Sequence, residues 1–250
     1  MKAGLSFLLL TVFLISCAPP IRDPFGTALR QGRVPSSVAP ESLSADLGIT
    51  PRQKGLSPFA ARLYARPYHQ YRVDAMGLVS TVASYVWAGD HWTLLLNEKR
   101  EVWTGAGDTL DVEGLPLRLP GVNAVLGFLW GDPLPGFRNR DADTLAWSGD
   151  TLQWKVHGTR WQAIFDPVSG ACLEARSSEL ALRYSGQRRY GSHVLPGEVE
   201  VFADGKSLLL MDINKVEEHP GWKKNPFELS VPASYERRSP EFPPDDGGGR

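Results

Sequence analysis

The sequence predicts a mainly β chain with a few helices, built as an antiparallel meander with one apolar face. Three observations carry this: short runs that alternate apolar and polar residues with a period of two, small turns between them, and one mid-chain run with helical offsets. Regular spacing with short connections makes a sheet that is dry on one face and wet on the other. The inserted helix is expected to cover one of those faces.

The first element is not part of the fold. Lys2, an apolar core from Leu5 to Ile15 and the small Ser16 make the three parts of a secretory signal over residues 1–16. At about 11 residues, against the roughly 20 of a spanning helix, the core is a signal and not a span. Residues 17–57 are rich in proline, serine and glycine and read as a flexible tether, in which Glu41 to Leu47 fits a short helix. A coil of about 40 residues reaches some 30 to 40 Å, which lets a domain work away from its anchor.

The folded domain is expected over 58–236. Ser57-Pro58 is a helix-start signal, and Phe59, Arg62, Leu63 and Arg66 predict a short helix that ends before Pro67. The period then changes to two. Gln70 to Met76, Ser80 to Ala88, Trp92 to Asn97 and Glu101 to Thr104 are predicted strands, joined by turns such as Ala88-Gly89-Asp90. Leu119 to Trp130 carries Val122, Val125, Leu126, Leu129 and Trp130 at helical offsets, and Gly131-Asp132-Pro133 ends it.

The second half repeats the alternation. Leu152, Trp154 and Val156 alternate with polar neighbours, as do Trp161, Ala163 and Phe165, and then Leu180, Leu182 and Tyr184. Val199 to Phe202 and Ser207 to Ile213 follow, joined through Asp204-Gly205, a hairpin signal. Residues 237–250, with prolines and a glycine triplet, are expected to form a disordered tail.

Leu14-Ile15-Ser16-Cys17 resembles the bacterial lipobox. The resemblance implies that Cys17 becomes the first mature residue, with a diacylglyceryl group on its sulfur and an acyl chain on its nitrogen, so the chain is held on a membrane by lipid. Two or three chains anchor firmly where one is marginal, each buried methylene contributing about 0.8 kcal/mol. Neither Ala18 nor Pro19 is the aspartate that retains enterobacterial lipoproteins at the inner membrane, so the expected location is the outer membrane, on its periplasmic face. Cys172 is then left without a disulfide partner and is expected to be a small buried hydrophobe.

Charge and motifs exclude several function classes. With 27 basic and 28 acidic residues the chain has no basic footprint for nucleic acid. His69, His91, His157, His193 and His219 show no metal-ligand spacing, and Gly-x-Ser-x-Gly is absent. The acidic pairs Asp108 with Asp111 and Asp141 with Asp143 fit solvated turns. No catalytic residue, metal ligand or cofactor beyond the lipid on Cys17 is expected.

The order of strands, then Leu115-Pro116-Leu117 entering an apolar helix, then Leu129-Trp130-Gly131-Asp132-Pro133-Leu134-Pro135-Gly136, then more strands, resembles the outer-membrane lipoprotein receptor LolB and its carrier relative LolA. Leu195-Pro196, the Asp204-Gly205 hairpin and Phe227-Glu228-Leu229-Ser230-Val231-Pro232 fit the closing strands of that wider group. The resemblance implies a curved, unclosed half-barrel with helices covering its concave face and a cavity for the acyl chains of lipoprotein or lipid cargo, with a periplasmic carrier protein as partner. Candidate cavity residues are Tyr85, Trp87, Trp92, Leu94, Leu96, Trp103, Phe128, Trp130, Trp154, Trp161 and Phe165. LolB-like receptors also carry a protruding apolar loop, and the turns Ala88-Gly89-Asp90-His91 and Asn97-Glu98-Lys99-Arg100, where it is expected, are polar. The competing expectation is a structural lipoprotein that docks another envelope protein and holds no ligand. An unfilled apolar volume separates the two.

Overall fold

The computed structural model describes residues 41–67, 69–107, 110, 122–130, 145–156, 159–166, 171–191 and 193–239. The first half contains strands β1 (Leu43–Pro51), β2 (Phe59–Arg66), β3 (Gln70–Met76), β4 (Thr81–Ala88), β5 (His91–Leu96) and β6 (Glu101–Ala106), then helix α1 (Val122–Phe128). The second contains β7 (Leu145–Ser148), β8 (Thr151–Val156), β9 (Thr159–Phe165), β10 (Cys172–Arg176), β11 (Leu180–Ser185), β12 (Arg188–Tyr190), β13 (His193–Leu195), β14 (Glu198–Ala203), β15 (Lys206–Glu218) and β16 (Glu236–Arg238).

Fourteen of these strands form one curved, unclosed sheet in the order β16-β6-β5-β4-β3-β2-β1-β15-β14-β11-β10-β9-β8-β7. Two meanders are joined through β1 and β15, which pair antiparallel from Leu43 opposite Glu218 to Pro51 opposite Leu209. The strands β12 and β13 make a separate ribbon. All the pairings in the large sheet are antiparallel except that of β16 with β6.

The period of two sets the faces. Opposite pairs such as Leu47 with Ala61, Leu63 with Val73, Val73 with Tyr85 and Tyr85 with Leu94 put one residue of every two on the same side of consecutive strands. That side holds the core, which runs without a break from Leu94 and Trp103 through Leu43, Leu63, Ile213, Val199 and Leu182 to Leu152 and Phe165. A slip of one residue in any register would turn a whole strand's apolar set to water.

Three expectations are corrected. Glu41 to Leu47 is not a helix in a tether: β1 begins at Leu43 and lies between β2 and β15 inside the sheet. Leu43 and Leu47 are four apart, which suits a helix, but Leu43, Ala45 and Leu47 alternate with Ser44 and Asp46, and burial against two neighbouring strands selects the extended form. The folded domain therefore starts ahead of residue 58. Phe59–Arg66 is likewise a strand and not a helix, because its alanine- and arginine-rich sequence is overridden by hydrogen bonding to β1 on one side and β3 on the other. Lastly, Phe227 to Pro232 adds no strand to the sheet. It is an extended strap on the wet face, where Phe227 is buried.

The other expected strands correspond to β3–β6, β8, β9, β11, β14 and β15, the last of which runs on to Glu218, and β7, β10, β12, β13 and β16 add to the expected set. Val122–Phe128 lies inside the expected helix, whose first residues are outside the described set. Among the described residues one helix packs on the apolar face; the cover of several helices is not drawn by them. Cys17, the signal, residues 17–40 of the tether, both acidic pairs and the tail beyond Ser239 also lie outside the described residues.

One glycine shows how tightly the face is packed. Gly105 stands opposite Trp92 in the β5–β6 register, and a Cβ there would lie 2.3 Å from the Trp92 ring. Trp92 is buried and has nowhere to go. Gly105→Ala is therefore expected to destabilise the fold by about 1–3 kcal/mol. Thermal unfolding checks this, and an unchanged midpoint would mean the ring can move aside.

Candidate functional site

The apolar face is filled unevenly. At the β8–β9 end, Phe128 of α1 sits edge-on to Trp161 with ring centroids 4.6 Å apart and to Trp154 at 6.3 Å, while those two tryptophans stack on each other. Trp130, Phe165 and Leu152 are fully buried in the same cluster. At the outer edge of the first meander, Trp87 packs on Tyr71 with centroids 5.6 Å apart, Trp92 lies over Gly105, and the Trp103 Nε1–H donates to Glu101 Oε2 at 3.0 Å. These regions are solid core.

Between them the face is hollow. Leu47 and Ile49 of β1, Val73 and Ala75 of β3, Ala83 and Tyr85 of β4, Leu94 and Leu96 of β5, and Leu209 and Met211 of β15 surround a space of about 310 Å³. Val125 and Leu126 of α1 close one side, and Leu110, Pro51, Leu56 and Phe59 complete the wall. The local cause is small side chains. Ala75 stands directly opposite Ala83, and two methyl groups leave open what two larger residues would fill. The volume is at the lower end of the ~300–1,000 Å³ of ligand sites, and the lining is apolar throughout apart from the Tyr85 hydroxyl.

Of the eleven residues chosen from the sequence, Tyr85, Leu94 and Leu96 line the hollow. Trp87, Trp92, Trp103, Phe128, Trp130, Trp154, Trp161 and Phe165 share its face but lie in the packed regions on either side. Choosing large aromatics selects the side chains that fill space. The hollow forms where inward positions carry alanine, so Ala75 and Ala83 within strongly alternating strands were the signal to follow.

The mouth of the hollow carries a further feature. The β3–β4 turn is closed by a 2.8 Å hydrogen bond from the Gly77 N–H to the Ser80 carbonyl, and at its tip Leu78 and Val79 are fully exposed. Met76 and Phe59 are exposed beside it, and Phe59 also lines the hollow. Turn tips are ordinarily polar, and two neighbouring apolar residues there need a reason. The exposed apolar turn of this sheet is thus the β3–β4 turn, while those at 88–91 and 97–100 are polar.

A set of charged and polar groups belongs to the opposite, wet face. Asp74 is buried there, its Oδ1 accepting from Arg72 Nε at 2.8 Å and from Ser84 Oγ at 2.6 Å. Arg72 in turn donates to the Pro226 carbonyl at 2.8 Å and so holds the strap. His219 hydrogen-bonds Ser44 and stacks on Trp222. Lys215 and Glu217 pair at 2.6 Å, and this contact holds the Glu217 carboxyl below and the Lys215 ammonium above their ordinary values. None of these groups faces the hollow. Cys172 is buried, as a small apolar residue would be.

No helix among the described residues is long and apolar enough to cross a membrane. No family model matches the chain, and no curated protein matches it by sequence. Solved structures do resemble it. A DUF1329 family protein from Desulfovibrio piger is similar at a TM-score of 0.52 and 12% identity, over 84% of this chain and 97% of that one. A domain from Vibrio parahaemolyticus described as an outer membrane lipoprotein-sorting protein is similar at 0.51 and 9%, over 83% and 97%. At these identities the likeness is one of fold: the single curved sheet is shared with both of these structures, one of them described as a lipoprotein-sorting domain.

Proposed function

We propose that this chain is an envelope lipoprotein that receives acyl chains of lipoproteins or lipids in the hollow between β1, β3–β5, β15 and α1. The observation that carries the reading is an unfilled apolar volume opening at a sheet end that also bears an exposed apolar tip. Acyl chains take such a refuge because it removes their methylenes from water at about 25 cal/mol per Å². The fold shared with a lipoprotein-sorting domain supports the same use.

In this reading Cys17 carries the diacylglyceryl and N-acyl groups that tie the protein to the periplasmic face of the outer membrane. A periplasmic carrier hands over the acylated cargo, and the Leu78-Val79 tip assists its passage into the bilayer. The chemistry is transfer without catalysis. A docking module without ligand would pack this face with its own side chains, and Ala75 opposite Ala83 argues against that.

The test is native mass spectrometry of the chain from Ala18 onward, which keeps every described element, offered a synthetic diacylated peptide. One bound peptide per chain is expected. Ala83→Trp, which fills the hollow from the β4 side, is expected to reduce binding at least about tenfold while circular dichroism stays that of a β protein. A folded wild-type chain that binds no acylated peptide would overturn the reading.

A further inference from the structure

The strap leaves a second cavity on the wet face, across the sheet from the hollow. Phe227, Leu229 and Val231 line it from the strap side, while Glu228, Ser230 and Pro232 between them are exposed. Beneath the strap, Val86 of β4 and Val102 of β6 alternate with the core residues of their strands and are buried all the same. A space of about 330 Å³ remains between strap and sheet. Its local cause is a pair of small side chains: Thr93 of β5 stands directly opposite Thr104 of β6, and both line the space. Neither hydroxyl has a hydrogen-bond partner among the described residues.

The third side of the cavity is β16, and its register with β6 sorts the two arginines found there. Arg238 stands opposite Trp103 with its guanidinium over the indole ring, and its Nη2 lies 3.2 Å from Glu101 Oε1 and 3.0 Å from Glu236 Oε2. Arg238 borders the cavity, but its charge is balanced. Both neighbouring carboxylates are taken by it. Arg237 stands opposite Val102, lines the cavity and has no carboxylate partner among the described residues. The acid on the strap, Glu228, accepts instead from Asn225 Nδ2 at 2.9 Å.

The hollow has an almost wholly apolar lining, whereas this wall joins an apolar floor to hydroxyl donors and one uncompensated guanidinium. A guanidinium presents two parallel N–H groups that match the two oxygens of a carboxylate, and a threonine hydroxyl can donate to the same group. The volume is at the lower end of the ~300–1,000 Å³ of ligand sites. We propose that the cavity under the strap binds a small monocarboxylate with a short apolar body, its carboxylate on Arg237 and the threonine hydroxyls and its body against Val86, Val102 and Phe227. The site does not depend on the hollow, which lies on the other face. A free organic acid and the C-terminus of a peptide present this chemistry alike, and the test separates them.

The test is a nuclear magnetic resonance titration of the isotope-labelled chain from Ala18 onward with phenylbutyrate, with its neutral amide, and with acetyl-alanyl-phenylalanine bearing a free carboxylate. Phenylbutyrate is expected to shift the amide signals of Leu229, Val231 and Arg237 and to leave those of Ala75 and Met211, in the hollow, in place. The neutral amide should bind at least about tenfold more weakly, and rising salt should weaken the acid alone. Arg237→Gln should lower affinity for the acid about tenfold, whereas Arg189→Gln, exposed on β12, should leave it unchanged. Thr104→Phe, which fills the cavity from β6, should abolish binding of both compounds. Equal binding of the dipeptide through Arg237 would identify a chain end as the source, and binding of phenylbutyrate alone would identify a free acid. Failure of both acids to bind, equal affinity for acid and amide, or binding indifferent to Arg237→Gln would overturn the proposal. Ala83→Trp should bind phenylbutyrate normally, so failure of the hollow as an acyl site and failure of this cavity give different results.

Discussion

Phe128→Ala is expected to lower the unfolding free energy by roughly 3–5 kcal/mol, the range for deleting a buried aromatic ring. Phe128 is 2% exposed, and its ring is the contact between α1 and the stacked pair Trp154 and Trp161. A seven-residue helix has almost no stability of its own, since helices under about 12–15 residues are marginal in water. What holds α1 is its apolar side, and Phe128 is among the largest groups on it. The loss should also reach the hollow, because Val125 and Leu126 on the same helix form part of its wall. Urea unfolding would therefore show a lower midpoint, and binding of a diacylated peptide would weaken with it. A stability change below about 1 kcal/mol would mean that α1 is not held by this ring.

Asp74→Ala is expected to cost about 3 kcal/mol, the low end for breaking a buried ion pair. Asp74 is 6% exposed, and its carboxylate accepts from both Arg72 and Ser84. The Arg72 side chain keeps 22% of its exposure, so water offsets part of the loss. The consequence specific to this fold concerns the strap. Without Asp74 the guanidinium is free to leave the Pro226 carbonyl, and the strap is what leads the chain back to β16 on the sheet edge. Amide hydrogen exchange at Glu236–Arg238 should accelerate in the variant well beyond the change in the central strands. Uniform acceleration throughout the sheet would show that Asp74 stabilises the fold but does not fasten the strap.

Much of the fold was legible because a strand with one face dry writes its period into the sequence. Gln70–Met76 alternates Tyr71, Val73 and Ala75 with Arg72 and Asp74, and no helix could bury that set on one side. β1 and β2 were misread for the opposite reason. Their residues, Leu43 with Leu47 and the alanines of Phe59–Arg66, satisfy helical spacing and propensity as well as they satisfy a strand, and only pairing within the sheet decides between the two. β2 lies between β1 and β3, and β1 in turn pairs with β15, some 160 residues away along the chain.

The candidate site was legible as a face and not as a place. Tyr85, Leu94 and Leu96 were recognisable as inward residues, yet the same rule selected Trp154 and Trp161, which stack and leave no room. The exposed tip was not found, since only the turns at 88–91 and 97–100 were searched and these are polar, whereas the apolar one is the β3–β4 turn.

By itself the sequence determined that the chain is an alternating antiparallel sheet with one inserted helix, because side-chain direction along a strand is a local property with a period of two. Which side chains meet, where Ala75 and Ala83 leave a space, and that Leu78 and Val79 stand beside it were decided by the tertiary structure alone. Volume between side chains belongs to no single residue and exists only once the strands have been placed against one another.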